Sequence, residues 1–160
     1  MPNPYSVTSS GSEYEYKFIT GSGDHYVAYF SYFTLLSGAD GEIEVFSFGF
    51  LRENFTQPLP DRIDPRIRAT IQYIIADFFK KNGQSAIVYI CDQADGKARQ
   101  RSLLFSRWFS ELSDTYIKCD SHARYAEFDF YSSIIIPNTN PDKGKLVDAF
   151  YYTLRYWMSE

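Results

Sequence analysis

The apolar positions of this chain fall into alternating and helical runs in a definite order. Glu13 to Thr20 (EYEYKFIT) alternates, with Tyr14, Tyr16 and Phe18 on one face, as a half-buried strand requires. Gly21-Ser22-Gly23-Asp24 is a turn signal and His25 to Phe33 a second aromatic strand, so a hairpin is expected. After a turn at Gly38 to Gly41, Glu42 to Leu51 reads as a third strand whose alternation changes phase. Ile43 and Val45 share one parity, and Phe46, Phe48 and Phe50 the other. A bulge, or burial of both faces, would produce that shift.

Arg52 to Pro65 carries Pro58, Pro60 and Pro65 and reads as a loop. Asp64 suits a helix N-cap and Pro65 a first helical position. The helix predicted from there to Lys81 places Ile67, Ile71, Ile74, Ile75 and Phe78 on one face. Lys80 and Lys81 complement its dipole, and Asn82-Gly83 closes it. Ala86 to Cys91 is a continuous apolar run, the mark of a central strand. A helix starting near Lys97 turns Leu104, Phe105, Trp108, Phe109 and Leu112 inward. Thr115 to Cys119 reads as a short strand, leaving His122 in a turn. Arg124 to Ile136 reads as a long strand, with Glu127 and Asp129 on its polar face. Pro137 to Gly144 is a loop, and a last helix, Lys145 to Met158, buries Leu146, Phe150, Leu154 and Trp157. The order βββ-α-β-α-ββ-α predicts an α+β domain: a mixed, mainly antiparallel sheet with helices packed on it. The segment from Ala86 to Cys119 fits a right-handed parallel crossover. The order of strands in the sheet stays open.

Composition narrows the classes. The 160 residues suit one domain, expected over 13–160 behind a flexible tail, Met1 to Ser12. That tail has neither the basic nor the apolar region of a secretory signal. No apolar run approaches the roughly 18 residues that span a membrane. A hydrophobic fraction of 44%, with 14 Tyr and 14 Phe, supplies a sizeable core. A net charge of -4 argues against non-specific binding to nucleic acid or to an anionic membrane. Cys91 and Cys119 form neither a CxxC pair nor a disulfide framework, so a reducing cytoplasm is the expected compartment.

Candidate chemistry gathers in Ser85 to Leu112. If the strands of the crossover are parallel, Asp92 and Asp120, each following a cysteine, reach the same sheet edge. The helix beginning near Lys97 opens there too, where open α/β sheets bind ligands. Read locally, Asp95 is an N-cap, Asp92 a turn residue and the cysteines small core residues. Lys97, Arg99, Arg101 and Arg107 stand on a stretch with no acidic residue between Gly96 and Ser110. Lys97, Arg99 and the first helical N–H groups suit a phosphate. The same cations would equally serve as a solvated face or pair with nearby carboxylates.

The metal question is mostly negative. His25 and His122 are the only histidines and belong to no HExxH. Cys119 and His122 lack further local ligands for a tetrahedral site. No Walker loop, G-x-S-x-G or kinase set is present.

Three resemblances follow from these residues. Gln93-Ala94-Asp95-Gly96-Lys97-Ala98 fits Q-x-x-G-x-A and resembles the pyrophosphate-binding loop of the GCN5-related acetyltransferases. It implies a coenzyme A ligand cradled by Gln93, Gly96, Lys97 and Arg99. The match spans six residues, and here a helix rather than an antiparallel strand precedes Ala86. Phe46 to Leu51 (FSFGFL) is similar to the aromatic strand of RNA-recognition motifs. The topology and the basic footprint of that family are missing.

The aromatic hairpin at Tyr14 to Phe18 is similar to that of a family of small bacterial proteins catalogued only as a domain of unknown function. So are Asp64 to Ile67 with Thr70-Ile71, and Tyr89 to Asp92 with Asp95, Arg101, Leu104-Phe105 and Arg107 to Phe109. This resemblance covers most of the chain after Glu13 and implies a single-domain cytosolic protein. It transfers no catalytic residue.

The expectation is a small cytoplasmic α+β binding or protein-interaction domain without catalysis of its own, membrane or nucleic-acid partner. A homodimer or a protein partner would meet a sheet edge or face. The alternative is an acetyltransferase-like CoA- or nucleotide-binding domain using residues 93–99. The candidate binding residues are Asp92, Gln93, Asp95, Gly96, Lys97, Arg99, Arg101 and Asp120. No catalytic residue and no metal ligand is assigned.

Overall fold

Among the described residues, seven strands form one mixed, mostly antiparallel sheet in the order β1-β2-β3-β4-β5-β7-β6, accompanied by three helices. The elements are β1 (Thr8–Ser9), β2 (Glu15–Ile19), β3 (His25–Ser37), β4 (Gly41–Glu53), α1 (Pro65–Lys81), β5 (Ile87–Cys91), α2 (Ala98–Ser110), β6 (Tyr116–Tyr125), β7 (Phe128–Pro137) and α3 (Lys143–Met158). This is the α+β order that the hydrophobic pattern predicts, with β1 added in front. The computed structural model describes residues 2–9, 11, 14–38, 41–53, 64–91, 98–125 and 128–158; at 91, 98–102, 125, 128–129 and 158 it describes backbone alone. By contact density the chain divides into two compact units, and β3 and β4 contribute to both.

The first unit comprises residues 1–31 and 48–81. Alternation along β2 and β3 sends Tyr16, Phe18, Tyr26, Ala28 and Phe30 inward, where Phe48 of β4 joins them. Helix α1 covers this face with Thr70, Ile71, Ile74, Ile75, Phe78 and Phe79. The Phe30 and Phe78 rings stack at 4.0 Å, and Phe48 lies 5.1 Å from Phe30. Burying an aromatic ring of this kind stabilises the fold by about 1.5–3 kcal/mol. Asp64 caps α1 as expected: its carboxylate accepts from the Arg66 N–H at 2.9 Å and its carbonyl from the Ile67 N–H at 3.0 Å.

The N-terminal segment is built into this unit. Thr8 and Ser9 pair with β2, and the Tyr5 N–H donates to Thr70 Oγ1 at 2.8 Å. The Tyr5 hydroxyl donates to Asp64 and accepts from the Gly21 N–H at 3.0 Å. Where the sequence suggests a tail, a single tyrosine joins segments 59 residues apart.

The second unit comprises residues 32–47 and 82–160. Its centre is β5, which runs parallel to β4 and antiparallel to β7. Both faces of β5 are covered from Ile87 to Tyr89, which is why this part of the run has no polar alternation, while Ile90 is 40% exposed. Val88, Ile134, Ile136, Leu35 and Val45 form one cluster with Leu146, Ala149 and Phe150 of α3. On the opposite face α2 packs on β5 and β7, with Phe105 stacked on Tyr89 at 4.1 Å. The phase change in β4 has the same cause: Val45 and Phe46 are both buried, one on each face. Trp157 departs from expectation. It is 42% exposed and meets Phe33 edge-on at 5.6 Å, because the last turn of α3 runs beyond the cluster that Phe150 and Leu146 fill.

Strands β5 and β6 run parallel, each antiparallel to β7, which lies between them. The parallel half of the crossover expectation therefore holds, but β6 does not end at Cys119. It continues through Lys118-Cys119-Asp120-Ser121-His122-Ala123-Arg124 to Tyr125. His122 is thus a strand residue, stacked on Tyr131 at 4.4 Å, and β7 starts at Phe128 rather than Arg124. A sheet edge tolerates such a polar strand because only its partner strand and one flank need be satisfied, and edge charge discourages further pairing.

Candidate functional site

Three β6 side chains of even number, Lys118, Asp120 and His122, project to the face that α2 covers, while Ile117 and Cys119 pack into the α3 cluster. Helix α2 turns Phe105, Trp108 and Phe109 onto the sheet, and this places Ser106 beside β6. The Lys118 ammonium donates to Ser106 Oγ at 2.8 Å and to Asp120 Oδ1. Ser133, which faces Asp120 across the β6–β7 ladder, donates to the same carboxylate oxygen at 2.6 Å. The Lys118 side chain is 13% exposed, whereas that of Asp120 is 60% exposed. A mostly buried ammonium is thus held by a carboxylate that opens to solvent.

Ser106, Lys118 and Asp120 line a cleft of about 420 Å³ together with Phe109, Ser110, Ser113, Tyr116 and Ile117, and Ser133 holds Asp120 from behind it. Burial pushes the Cys119 thiol up from its ordinary pKa, and the Asp120 charge adds to this against the opposing effect of Lys118. A thiol so disposed is a poor nucleophile at neutral pH. Tyr151 donates to the Asp120 carbonyl at 2.9 Å; its own phenol is pushed up by burial, then by Cys119 and Asp120. Lys118 is bound to a carboxylate, so it is not a ready base for the Ser106 hydroxyl.

The first unit has its own cleft, of about 480 Å³, lined by Tyr5, Thr8, Lys17, Phe18, His25, Tyr26, Glu53 and Arg66, among others. Its groups chiefly satisfy one another. The Arg66 guanidinium lies 3.9 Å over the Tyr5 ring and donates to the Asn3 carbonyl at 2.9 Å. Tyr5, Phe18 and Tyr26 continue as a stack, at 6.2 and 5.3 Å. Lys17 stands 3.9 Å from Glu15 and 3.8 Å from Glu53. These contacts fix the N-terminal segment.

Of the residues singled out from sequence, Asp92, Gln93, Asp95, Gly96 and Lys97 lie outside the described residues. Arg99 and Arg101 belong to α2 by backbone, with side chains outside the description. Asp120 is placed, and not where the short-strand reading put it. It is the fifth residue of β6, paired with Ser133 and so level with Tyr89. The β6 residue level with Cys91 is His122, through Tyr131. The half of the shared-edge expectation that concerns Asp120 is corrected accordingly, because β6 continues five residues beyond it, while Asp92 lies outside the described residues. Sequence reasoning missed Ser106, Lys118 and Ser133. The signal available was an isolated lysine and aspartate two apart in a strand, which share a face. Nothing local could announce the serines. Among the described residues no three His, Cys, Asp or Glu side chains are placed to hold a metal ion, and no helix is long and apolar enough to cross a membrane.

Residues 63–152 match the model of a family of unknown function (DUF6169). That span runs from the cap of α1 into α3 and contains the whole Ser106–Lys118–Asp120–Ser133 group. No curated protein and no solved structure matches the chain.

Proposed function

The chain belongs to this family of unknown function, and from the geometry of its second unit we propose that it is a binding module without covalent chemistry of its own, with its ligand site in the cleft between α2 and β6. The observation that carries the proposal is the Lys118–Asp120 pair. It is preset by Ser106 and Ser133 at the wall of a cleft large enough for a small metabolite. A donor and an acceptor fixed before the ligand arrives cost little further ordering on binding. The nearby groups that could attack a substrate are poorly prepared for it. The Cys119 thiol is raised and partly buried, and among the described residues Ser106 has a charge-paired lysine as its hydrogen-bond partner.

A thermal-shift screen with sugars, amino acids, nucleotides, coenzyme A and acetyl-CoA tests this. At about 100-fold over its Kd a ligand adds about 2.7 kcal/mol, or roughly 5–10 °C for a domain of this length. The expected hit stabilises the wild type and loses its shift in Lys118→Met and Asp120→Asn, while Arg99→Ala retains it. A CoA shift lost only in Arg99→Ala would transfer the site to the Gln93–Arg99 loop and favour the acetyltransferase-like alternative. Turnover of a hit, abolished by Ser106→Ala, would overturn the non-catalytic reading.

A further inference from the structure

Resting on that reading of the cleft, we infer that its ligand is a neutral polyhydroxylated molecule of about monosaccharide size. Charge is the first argument. Among the described residues the lining holds one cation and one anion, Lys118 and Asp120, and they are bonded to each other. An acidic ligand would face the exposed Asp120 carboxylate, and a basic one the Lys118 ammonium. Either would have to displace a partner already in contact, at a cost in desolvation that a neutral ligand avoids.

Hydrogen-bond valence is the second argument. An ammonium has three N–H donors. Two of those on Lys118 go to Ser106 and Asp120, and the third has no acceptor among the described residues. Both donors that reach Asp120, from Lys118 and Ser133, meet Oδ1, so Oδ2 has no donor among the described residues. One open donor and one open acceptor therefore sit side by side on a bonded pair. Two neighbouring hydroxyls answer both at once, since each is donor and acceptor. One oxygen accepts from Lys118 while the next O–H donates to Asp120. Ser110 and Ser113 continue the same wall with exposed hydroxyls; that of Ser110 donates to the Arg107 carbonyl at 2.8 Å and so offers a ligand its lone pairs. A cleft of about 420 Å³ takes a single ring.

The test uses the intact chain, isotopically labelled and titrated with glucose, galactose, mannose, ribose and myo-inositol. Glucose 6-phosphate, glucuronate and glucosamine serve as charged counterparts. The expected result is saturable movement of the Ser106, Ser110 and Ile117–Asp120 amide signals with at least one neutral probe. Its affinity falls about tenfold or more in Lys118→Met and in Asp120→Asn, the loss of one hydrogen bond to a charged group. Ser110→Ala and Ser113→Ala remove exposed hydroxyls from the rim without touching the core, and each weakens the neutral probe a few-fold. Charged counterparts that bind through the same amides at least as tightly as their parents would overturn the neutral class and leave the cleft standing. No movement of these amides with any neutral probe would also overturn it; the cleft itself is then judged by whether any hit of the thermal-shift screen depends on Asp120.

Discussion

Gly49 shows how one residue can be fixed by its neighbour rather than by its own backbone. A Cβ at this position would stand 2.5 Å from Cζ and Oη of Tyr29, whose ring lies over it from β3. Such a ring covering a strand glycine compensates for its missing side chain. Tyr29 is 38% exposed, so Gly49→Ala is expected to push the ring outward rather than break the strand. The cost should be about 1 kcal/mol, and in a Tyr29→Ala background it should vanish or reverse. A double-mutant cycle in urea reads the difference. Cys119 gives a second residue-scale expectation. With Cys91 replaced by Ser, alkylation of the remaining thiol should be slower than that of a free cysteine at the same pH. Asp120→Asn should speed it, because the carboxylate helps hold the thiol protonated and its loss leaves Lys118 to act alone. Unchanged reactivity in that variant would contradict the electrostatic account. Neither pairing could be read from sequence, since both join different strands or depend on burial.

At the scale of elements, α1 was legible throughout because its signals are local. The cap, the first-turn proline, the apolar stripe and the terminal lysines all lie within reach of its own backbone. Asp64 nonetheless has a second task that the sequence hid, accepting the Tyr5 hydroxyl. Asp64→Ala should therefore cost the usual cap contribution of about 1 kcal/mol and also loosen the N-terminal segment. Tyr5→Phe separates the two: the cap stays, while the Gly21 N–H loses its acceptor. Hydrogen exchange at the Tyr5 and Gly21 amides should quicken in Asp64→Ala, and at Gly21 alone in Tyr5→Phe. Strand β6 was misread for the opposite reason. Its second half has no alternation to detect, and it is a strand because β7 supplies ten successive partners, Pro137 to Phe128.

For the whole molecule, the tyrosines set an alkaline limit. Burial first, and then Asp24, pushes the Tyr26 phenol up; burial alone does so for Tyr116; Tyr5 and Tyr151 shift the same way. A raised folded-state pKa means that the native chain holds the phenolic proton more tightly than the unfolded one. The associated stability is complete below the ordinary tyrosine value of 10.0 and is lost as the pH rises above it. The urea midpoint should accordingly hold up to about pH 9 and fall as the pH rises through and beyond about 10. Tyr26→Phe in the first unit and Tyr116→Phe in the second should each make that fall shallower. A slope indifferent to both would place the alkaline limit elsewhere.

The sequence by itself determined the α+β class, the order of the elements, the buried central strand and many of the core aromatics, among them Tyr16, Phe18, Phe78, Phe105, Trp108, Phe109 and Phe150. Each of these rests on periodicity or on caps and turns within a few residues. It also marked Asp120 as worth attention, though on the wrong rung of the sheet. Tertiary structure alone decided that β7 lies between β5 and β6, that Tyr5 closes on Asp64, and that Ser106 and Ser133 converge on the Lys118–Asp120 pair. The physical reason is the same in each case. A hydrogen bond between residues far apart in the chain leaves no periodic trace, and single serines and lysines are common enough on any surface to carry no signal until the sheet sets them side by side.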